Sequence, residues 1–485
     1  MTDSSRLCII GVDALDPDLL EKWRDDLPTF RRLMQEGSWS RLESTFPPDS
    51  IPAWTTIYTG LDPSEHGGLE YVDYLDIRSG KTTLNNDRMR GRTFWDVASK
   101  AGRRVVVANP FLAYPTWPVN GVMVSGPVFV DGRVSVHPPG ARLPEPLPEL
   151  GGMVEFPSRK TLTAFYERCV RITRTQAGFY VQLLRQEPWD LAYVLFLTLD
   201  RVKHFYWRFE DVEDSCYTPW PGHPTPVRDF YVLLDGLLGE LLAGLPSDTT
   251  AFVISDHGHQ RRCTELFYVN EWLRRSGFLV APTRFGILDP RVFVERAKNA
   301  ALDLAYRFEL EDALSMLARW VPRRKALKRA DHVIRADASL ARASSFAGVN
   351  PFGGIVLNHA EIARRGAYLA DIRESVVTGL RGVADPRTNR KVVRWALPRA
   401  EAVPAGARQE AYPDILFELD PAYGVSWSVF RPLFGPNVTH RKISGGHTRD
   451  GVLLTAGPLA DGVVVERCRV GDIFSLVLRQ LGLSQ

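Results

Sequence analysis

Residues 7–13 read LCIIGVD, a run of six apolar or small residues that ends in an acidic one. A continuous apolar run of this length is typical of a strand that is buried on both faces of a sheet. Runs of the same kind recur at residues 105–108, 191–199 and 250–255, and each is followed by a polar residue. The repeated pattern predicts a sheet that is covered by helices on both sides.

Helical periodicity fills the intervals between these runs. In residues 227–242 the apolar side chains recur at i, i+3 and i+4, which predicts an amphipathic helix packed on such a sheet. Strands that alternate with helices define the α/β class. We therefore predict a doubly wound, mostly parallel central sheet flanked by helices. Further core strands are expected near residues 353–358 and 451–455, with a terminal helix at 472–481.

The pattern changes between residues 265 and 347, where strand-like runs are few and several stretches have helical periodicity. This predicts a first part of the α/β core at residues 1–264, a mostly helical cap insertion at 265–347, and a second part of the core at 348–485. The cap contains a basic cluster between Arg319 and Arg329. A charge run of this kind is typical of a solvated helix face, with an anionic polymer or membrane surface as the alternative.

Charge and cysteine content exclude several classes of partner. The 485 residues include 60 Lys and Arg against 57 Asp and Glu, so no overall field attracts a nucleic-acid polymer or an anionic membrane. The five cysteines are far apart and form no C-x-x-C pair, which argues against a disulfide framework and a thiolate zinc site. We expect a cytoplasmic protein without a membrane span that acts on a small molecule; its oligomeric state stays open.

Aspartates and histidines gather at the predicted strand ends. Six such side chains are Asp13, Asp200, His204, Asp256, His257 and His447. Asp200 and His204 are four residues apart, so on a helix they share a face and can chelate one ion. Each residue alone has a simpler explanation, as a helix cap or a hydrogen-bonded core histidine. Together, three carboxylates and three imidazoles suit zinc or a similar divalent metal, divided between two sites with open positions.

A nucleophile is offered by Ser50, in the segment 45–60, TFPPDSIPAWTTIYTG. Ser50 precedes a proline that can occupy the first helical turn, and its simplest role is that of an N-cap. The same position also suits catalysis. A hydroxyl at a helix amino terminus faces unpaired N–H groups and a favourable dipole, and a metal can hold it as an alkoxide.

The order of these motifs carries a resemblance. After the Ser50 segment come TGLDPSEHG at 59–67, DRVKH at 200–204, SDHG at 255–258 and GH at 446–447. Secondary matches are TFWD at 93–96, NGVMVSG at 120–126, FGGI at 352–355 and PDI at 413–415. In this order the motifs resemble the alkaline phosphatase superfamily, and more narrowly its type I phosphodiesterase/nucleotide pyrophosphatase branch, over nearly the whole chain outside the cap.

The resemblance implies two divalent metal ions, zinc first and manganese as the alternative. One would be held by Asp13, Asp256, His257 and the oxygen of Ser50, the other by Asp200, His204 and His447. All of these positions match the family in residue type, with serine where this branch most often has threonine. The resemblance also implies that Ser50 attacks phosphorus and forms a phosphoseryl intermediate.

Two departures bear on the substrate. Nucleotide-cleaving members of the family have an asparagine 21 residues after the nucleophile, and this chain has Tyr71 at that position. They also have Phe-Pro-Asn directly after the nucleophile, where residues 51–53 of this chain read IPA. Trp54, Tyr71 and Tyr74 lie in or near the nucleophile segment and are candidates for an aromatic wall beside a diester substituent, with simple core packing as the alternative. Lys203 is a further candidate substrate contact, since an inward ammonium would favour a dianionic monoester.

These observations predict a metal-dependent hydrolase of phosphoric esters that prefers diesters. The alternatives are a phosphomonoesterase, a phosphonate hydrolase or a phosphotransferase of the same superfamily, and a binding module that keeps the fold without catalysis. Sulfatases and phosphonate monoester hydrolases need C/S-x-P-x-R at the nucleophile, which SIPAW at residues 50–54 lacks. Nucleotide would be a substrate rather than a cofactor, because the chain has no Walker-type or G-x-G-x-x-G loop.

Overall fold

A computed structural model describes residues 6–71, 87–129, 132–220, 222–281, 290–308, 310, 334–344, 350–403, 408–458 and 467–483. The chain divides into two compact units. The first consists of Met1–Tyr71, Thr82–Gln260 and His447–Gln485, and the second of Val72–Lys81 and Arg261–Gly446. Within the described residues no helix is long and apolar enough to cross a bilayer.

The described strands, in chain order, are β1 Arg6–Val12, β2 Ser38–Glu43, β3 Val105–Ala108, β4 Gly121–Ser125, β5 Ser135–His137, β6 Leu191–Phe196, β7 Thr249–Ile254, β8 Gly258–Arg261, β9 Glu265–Tyr268, β10 Ala341–Ser344, β11 Phe352–Leu357, β12 Ala384–Asp385, β13 Arg390–Lys391, β14 Val393–Pro398, β15 Ile415–Leu419, β16 Tyr423–Ser426, β17 Phe434–Pro436, β18 Gly445–Thr448, β19 Asp450–Ala456 and β20 Cys468–Arg469.

The described α-helices are α1 Pro17–Lys22, α2 Pro28–Glu36, α3 Ser50–Thr59, α4 Pro63–His66, α5 Phe94–Lys100, α6 Leu162–Gln186, α7 Thr198–Glu210, α8 Pro226–Ala243, α9 Val269–Arg275, α10 Pro290–Arg307, α11 His359–Arg364, α12 Leu369–Arg381, α13 Arg399–Ala402 and α14 Asp472–Gln480.

The first unit is built on a nine-stranded sheet in the order β20-β2-β19-β7-β1-β6-β3-β4-β5. Its five central strands, from β7 to β4, pair in parallel. β19 and β5 add antiparallel pairs on the two sides. β1 lies in the middle, and its residues Leu7, Cys8, Ile9 and Ile10 are at most 1% exposed, as the unbroken apolar run of residues 7–13 predicts.

Two groups of helices flank this sheet. α6, α7 and α8 pack on one another, and α14 packs on α3 and α5. The predicted strands at 7–12, 105–108 and 250–255 are present, and the helix expected at 227–242 is α8. The predicted fold class, an α/β protein with a mostly parallel central sheet, is confirmed. The apolar run at 191–199 is divided, because β6 ends at Phe196 and α7 begins at Thr198.

The second unit has its own sheet and core. β10, β11, β15 and β14 form a four-stranded antiparallel sheet. β16, β9 and β17 form a three-stranded mixed sheet, in which β9 pairs in parallel with β16 and antiparallel with β17. Helices α9 and α12 contribute to the core of this unit together with β11 and β15. Members of that core are Leu273, Ile355, Val376, Leu380, Ile415 and Phe417, all fully buried.

The observed second unit is larger than the predicted cap. Residues 265–347 lie within it, but it continues to Gly446, so β11, β14 and β15 belong to its sheet rather than to the central one. The cause is physical: an apolar run shows that a strand is buried, and it does not show which sheet buries it. Residues 311–333, which contain the basic cluster, lie outside the described residues, and the helical character of that part of the cap stays a prediction.

Candidate functional site

The candidate site lies at the carboxyl ends of the central parallel strands. Asp13 directly follows β1, and Asp256 lies two residues beyond the end of β7. Asp200 lies in the first turn of α7, which begins just after β6. Parallel neighbours bring their carboxyl ends to one edge of the sheet, which is where open α/β folds bind ligands.

Asp13, Asp256 and His257 form a first cluster, with the hydroxyl of Ser50 beside it. His257 Nε2 is 3.2 Å from Asp256 Oδ2 and 3.9 Å from Asp13 Oδ1. Ser50 Oγ is 3.1 Å from His257 Nε2 and 3.4 Å from Asp13 Oδ1. All four residues are buried. The structure thus brings together the four residues that the resemblance assigns to one metal.

Ser50 is the first residue of α3, and it is not the cap of that helix. The N-cap is Asp49, whose carboxylate accepts the Ile51 N–H at 3.0 Å. The simple role considered for Ser50 is therefore filled by its neighbour. The Ser50 hydroxyl is directed to the first cluster, while the amino terminus of a ten-residue helix places partial positive charge beside it.

Asp200, His204 and His447 form a second cluster, together with His259, which the sequence analysis did not single out. His204 Nε2 is 3.0 Å from His447 Nε2 and 3.2 Å from Asp200 Oδ1. Asp200 Oδ1 is 3.5 Å from His447 Nε2 and 3.7 Å from His259 Nε2. The two clusters adjoin, because the rings of His257 and His447 stack with centroids 3.9 Å apart.

Contacts behind the ligand atoms fix how two of these histidines face the site. His447 Nδ1 is 3.0 Å from the Pro48 carbonyl oxygen, and His257 Nδ1 is 3.0 Å from that of Gly258. A carbonyl oxygen only accepts, so each Nδ1 carries the proton and donates. In the neutral ring the lone pair then lies on Nε2, which faces the cluster. Metal-binding histidines are held by the same kind of contact.

Burial and neighbouring histidines together set the pKa values of the carboxylates in the two clusters. Burial, with the charges of Asp256 and Asp200, raises the pKa of Asp13 well above its ordinary value. Burial also raises the pKa of Asp256, to about 7. Burial acts on Asp200 in the same direction, but the neighbouring His204 and His447 outweigh it and hold the pKa of Asp200 well below its ordinary value.

These donor atoms fit divalent metal ions. Among the described residues, Asp200 Oδ1, Asp256 Oδ2 and both ring nitrogens of His259 are buried without a hydrogen-bond partner. Burying such groups is costly unless a cation or another partner compensates them. Zinc bonds nitrogen and oxygen at about 2.0–2.2 Å, so tetrahedral ligands lie about 3.3–3.5 Å apart. The measured separations of 3.0–3.9 Å span that value.

The structure corrects two of the predicted substrate contacts. Trp54 is fully buried, and its indole N–H donates to Asp13 Oδ2 at 3.1 Å, so it orients the Asp13 carboxylate rather than forming a wall. Gly11 permits this approach, since a Cβ there would lie 2.8 Å from the indole. Lys203 is also fully buried. Its ammonium donates to the Ala14 carbonyl and to the Tyr231 hydroxyl, and burial lowers its pKa to about 8.

The third predicted substrate contact, Tyr71, ends a 3-10 turn at Gly68–Tyr71, and its side chain lies outside the described residues, as does Tyr74. Upstream of this turn, the TGLDPSEHG segment supports α3 from behind. Asp62 and Glu65 form a capping box on α4, and buried His66 contacts Thr56 Oγ1 of α3 at 2.9 Å through Nε2. The segment therefore holds the helix that carries Ser50.

Fold and site together define a member of the alkaline phosphatase superfamily. A family model described as type I phosphodiesterase / nucleotide pyrophosphatase matches residues 7–426. The chain belongs to this family. As a member of this family, it is a metal-dependent hydrolase of phosphoesters. No curated protein is similar enough in sequence to match the chain.

Two solved structures of one phosphonoacetate hydrolase show the same fold at low sequence identity. A phosphonoacetate hydrolase from Sinorhizobium meliloti 1021 in complex with phosphonoformate is 16% identical, with a TM-score of 0.54 over 98% of this chain and 96% of that one. The same hydrolase in complex with phosphonoacetate is 15% identical in sequence, with a TM-score of 0.53 over 98% of this chain and 96% of that one. An inactive murine ectonucleotide pyrophosphatase / phosphodiesterase 5 in complex with AMP is 13% identical, with a TM-score of 0.48 over 99% and 95%.

Proposed function

We propose that this protein is a phosphodiesterase that uses Ser50 as its nucleophile. The observation that carries the proposal is the position of the Ser50 hydroxyl, 3.1 Å from His257 Nε2 and 3.4 Å from Asp13 Oδ1, while Asp49 caps the helix. A serine that served only local structure would use its oxygen for the cap.

The two clusters would hold two divalent ions, zinc first and manganese as the alternative. Asp13, Asp256, His257 and the Ser50 oxygen would bind one of them. The ligands of the other would include Asp200, His204 and His447. Bound ions of this kind supply Lewis acidity and lower the pKa of an oxygen that they hold.

Ser50 and its helix account for the bond changes. Ser50 Oγ forms a bond to phosphorus in line with the ester bond that breaks, and the hydroxyl proton and the leaving alkoxide together make up the released alcohol. Water then cleaves the Oγ–P bond and restores the serine hydroxyl. The amino terminus of α3 favours the negative phosphoryl oxygens near Ser50.

Diester preference is supported by how the candidate ligand carboxylates are paired in the part of the chain that the structure describes. Among the described residues, none of the three carboxylates forms an ion pair with lysine or arginine. Lys203, the predicted exception, donates to Ala14 and Tyr231 instead. A dianionic monoester would find less compensation here than a monoanionic diester.

Ser50→Ala tests the nucleophile. With zinc supplied, turnover of bis-p-nitrophenyl phosphate should fall by about 10³-fold or more, because the covalent route is lost. Ser50→Thr is the matched control, since it keeps a hydroxyl, and it should retain turnover and form an acid-stable phosphoryl adduct detectable by intact mass. Wild-type turnover in Ser50→Ala would refute the assignment.

The ratio of kcat/KM for bis-p-nitrophenyl phosphate to that for p-nitrophenyl phosphate tests the specificity. We expect a ratio above one that Lys203→Met leaves unchanged. A ratio well below one would identify a monoesterase. Faster cleavage of phosphonoacetate than of either ester would identify a phosphonate hydrolase. Transfer of the phosphoryl group to an added alcohol would identify a phosphotransferase.

We also propose a cytoplasmic location. Among the described residues no two cysteines form a disulfide, and Cys8, Cys169, Cys263 and Cys468 are buried. Buried cysteines that are not cross-linked by disulfides are typical of proteins from reducing compartments.

A further inference from the structure

His259 is a buried histidine that the reaction proposed above does not use. It lies in β8, two residues after His257, and only 1% of it is exposed. Its backbone N–H donates to Asp16 Oδ2 at 2.8 Å, which holds this part of the chain against the loop after β1. The main chain therefore fixes where the His259 ring can reach.

The His259 ring is packed but not hydrogen-bonded. It meets the His204 ring edge-on at 4.6 Å between centroids and stacks near the Trp207 ring at 5.9 Å. Neither ring nitrogen has a hydrogen-bond partner among the described residues. A histidine that only fills the core normally satisfies at least one nitrogen, because an unpartnered buried polar group destabilises the fold.

Its ring nitrogen is directed to the second cluster. His259 Nε2 is 3.7 Å from Asp200 Oδ1, which is itself a buried oxygen without a hydrogen-bond partner. The other separations around Asp200 Oδ1 and His204 Nε2 are 3.0–3.5 Å. All are near the value of about 3.3–3.5 Å expected between ligands of one tetrahedral zinc ion.

We propose that His259 is a fourth protein ligand of the second cluster, beside Asp200, His204 and His447. The resemblance assigns only three protein ligands there. With the fourth, the cluster offers three imidazoles and one carboxylate, a set that favours zinc or cobalt over magnesium or manganese, which prefer oxygen. This inference rests on the proposed metal-dependent function and specifies the metal class that the second cluster selects.

The test compares metal binding by the full-length wild type and by His259→Leu after the metals are removed with a chelator. In zinc titrations against a chromophoric competitor, the wild type should bind two ions. His259→Leu should lower the affinity for one of the two ions by about 100-fold or more and leave the affinity for the other unchanged. Even the loss of a residue that only contacts a ligand from behind lowers metal affinity by about 10–100-fold. The cobalt-substituted variant should also lose intensity in the visible d–d bands that report four-coordination.

Two controls separate ligation from packing. Trp207→Phe alters the packing beside His259 but removes no ligand, and it should bind zinc like the wild type. His259→Gln keeps a polar side chain of similar size and should weaken the same site. In the metal-free state His259→Leu should melt no lower than the wild type, because the substitution removes no hydrogen bond of the ring.

The outcomes distinguish the two proposals. If the wild type binds no zinc, the proposed metal-dependent function fails. If it binds two ions and His259→Leu binds them equally well, only the role of His259 fails. A metal-free His259→Leu that melts well below the wild type, with unchanged zinc affinity, would likewise make His259 a packing residue.

Discussion

The two clusters offer different donor groups, although they lie next to each other at the same edge of the sheet. The first offers two carboxylates, one imidazole and the Ser50 hydroxyl. The second offers one carboxylate, Asp200, and three imidazoles. Burial raises the pKa of Asp13 and Asp256, whereas His204 and His447 outweigh burial and lower the pKa of Asp200. The difference arises because His204 and His447 stabilise the charged form of Asp200 more than burial destabilises it, whereas burial is the dominant influence at Asp13 and Asp256.

This contrast indicates that the two clusters differ in how they bind a cation. An oxygen-rich cluster accumulates negative charge and needs a cation before its carboxylates can ionise together. In the reaction proposed above, that requirement would place the cation beside the Ser50 oxygen, which has to lose its proton. A nitrogen-rich cluster keeps its carboxylate ionised and distinguishes metals by ligand type. We therefore expect the two sites to respond differently to loss of one carboxylate.

The largest effect is expected when one carboxylate of a cluster is replaced by an amide. Asp13→Asn should lower turnover of bis-p-nitrophenyl phosphate by more than about 100-fold, because it removes a charged ligand next to Ser50. It should retain one equivalent of zinc at the second cluster, measured as metal content after dialysis. Asp200→Asn is the reciprocal control and should retain the ion of the first cluster instead. Loss of both ions in both variants would show that the clusters form one indivisible site.

A smaller effect is expected at the tryptophan behind Asp13. Trp54→Phe removes the indole N–H that donates to Asp13 Oδ2 and should lower zinc affinity at the first cluster by about 10–100-fold. Trp95→Phe is a matched control, since Trp95 is equally buried and its indole nitrogen has no hydrogen-bond partner in the described part of the chain. Equal losses in the two variants, measured by competitive zinc titration, would assign the effect to packing alone.

The smallest effect concerns His66, which supports the helix of the first cluster. Burial lowers the pKa of His66 to about 3, so the folded protein keeps this ring neutral while the unfolded chain protonates it near pH 6.5. The stability it contributes is complete above pH 6.5 and is lost as the pH falls toward 3. The loss amounts to about 1.4 kcal/mol per pH unit.

His66→Gln keeps a donor toward Thr56 and does not titrate. Urea unfolding of the metal-free protein between pH 4.5 and 6.5 should therefore show a shallower pH dependence in the variant, by about one proton. Parallel curves for variant and wild type would mean that His66 is protonated in the folded state. The neutral contact with Thr56 would then be excluded.

The sequence predicted those features that depend on local pattern. Unbroken apolar runs identified the central strands, because a strand buried on both faces must be apolar throughout. Polar residues directly after those runs identified Asp13, Asp200 and Asp256, since parallel strands bring their carboxyl ends together. The helical spacing of Asp200 and His204 placed both on one face of α7.

Other features follow from contacts between residues far apart in the chain, and the sequence alone did not predict them. The burial of Trp54 and Lys203 depends on partners at Asp13, Ala14 and Tyr231. The membership of β11 in a separate antiparallel sheet depends on its pairing with β10 and β15.

What the sequence determined by itself was the class of the fold, the family and six candidate donor side chains, because each depends on spacing and residue type along a short stretch. What only the tertiary structure decided was which donors share a cluster and which neighbour completes it. His259 shows the difference: in the sequence it is one more histidine after SDHG. In the fold it has two unpartnered ring nitrogens, one of them 3.7 Å from Asp200 Oδ1. That relation exists only when β8 and α7 are brought side by side.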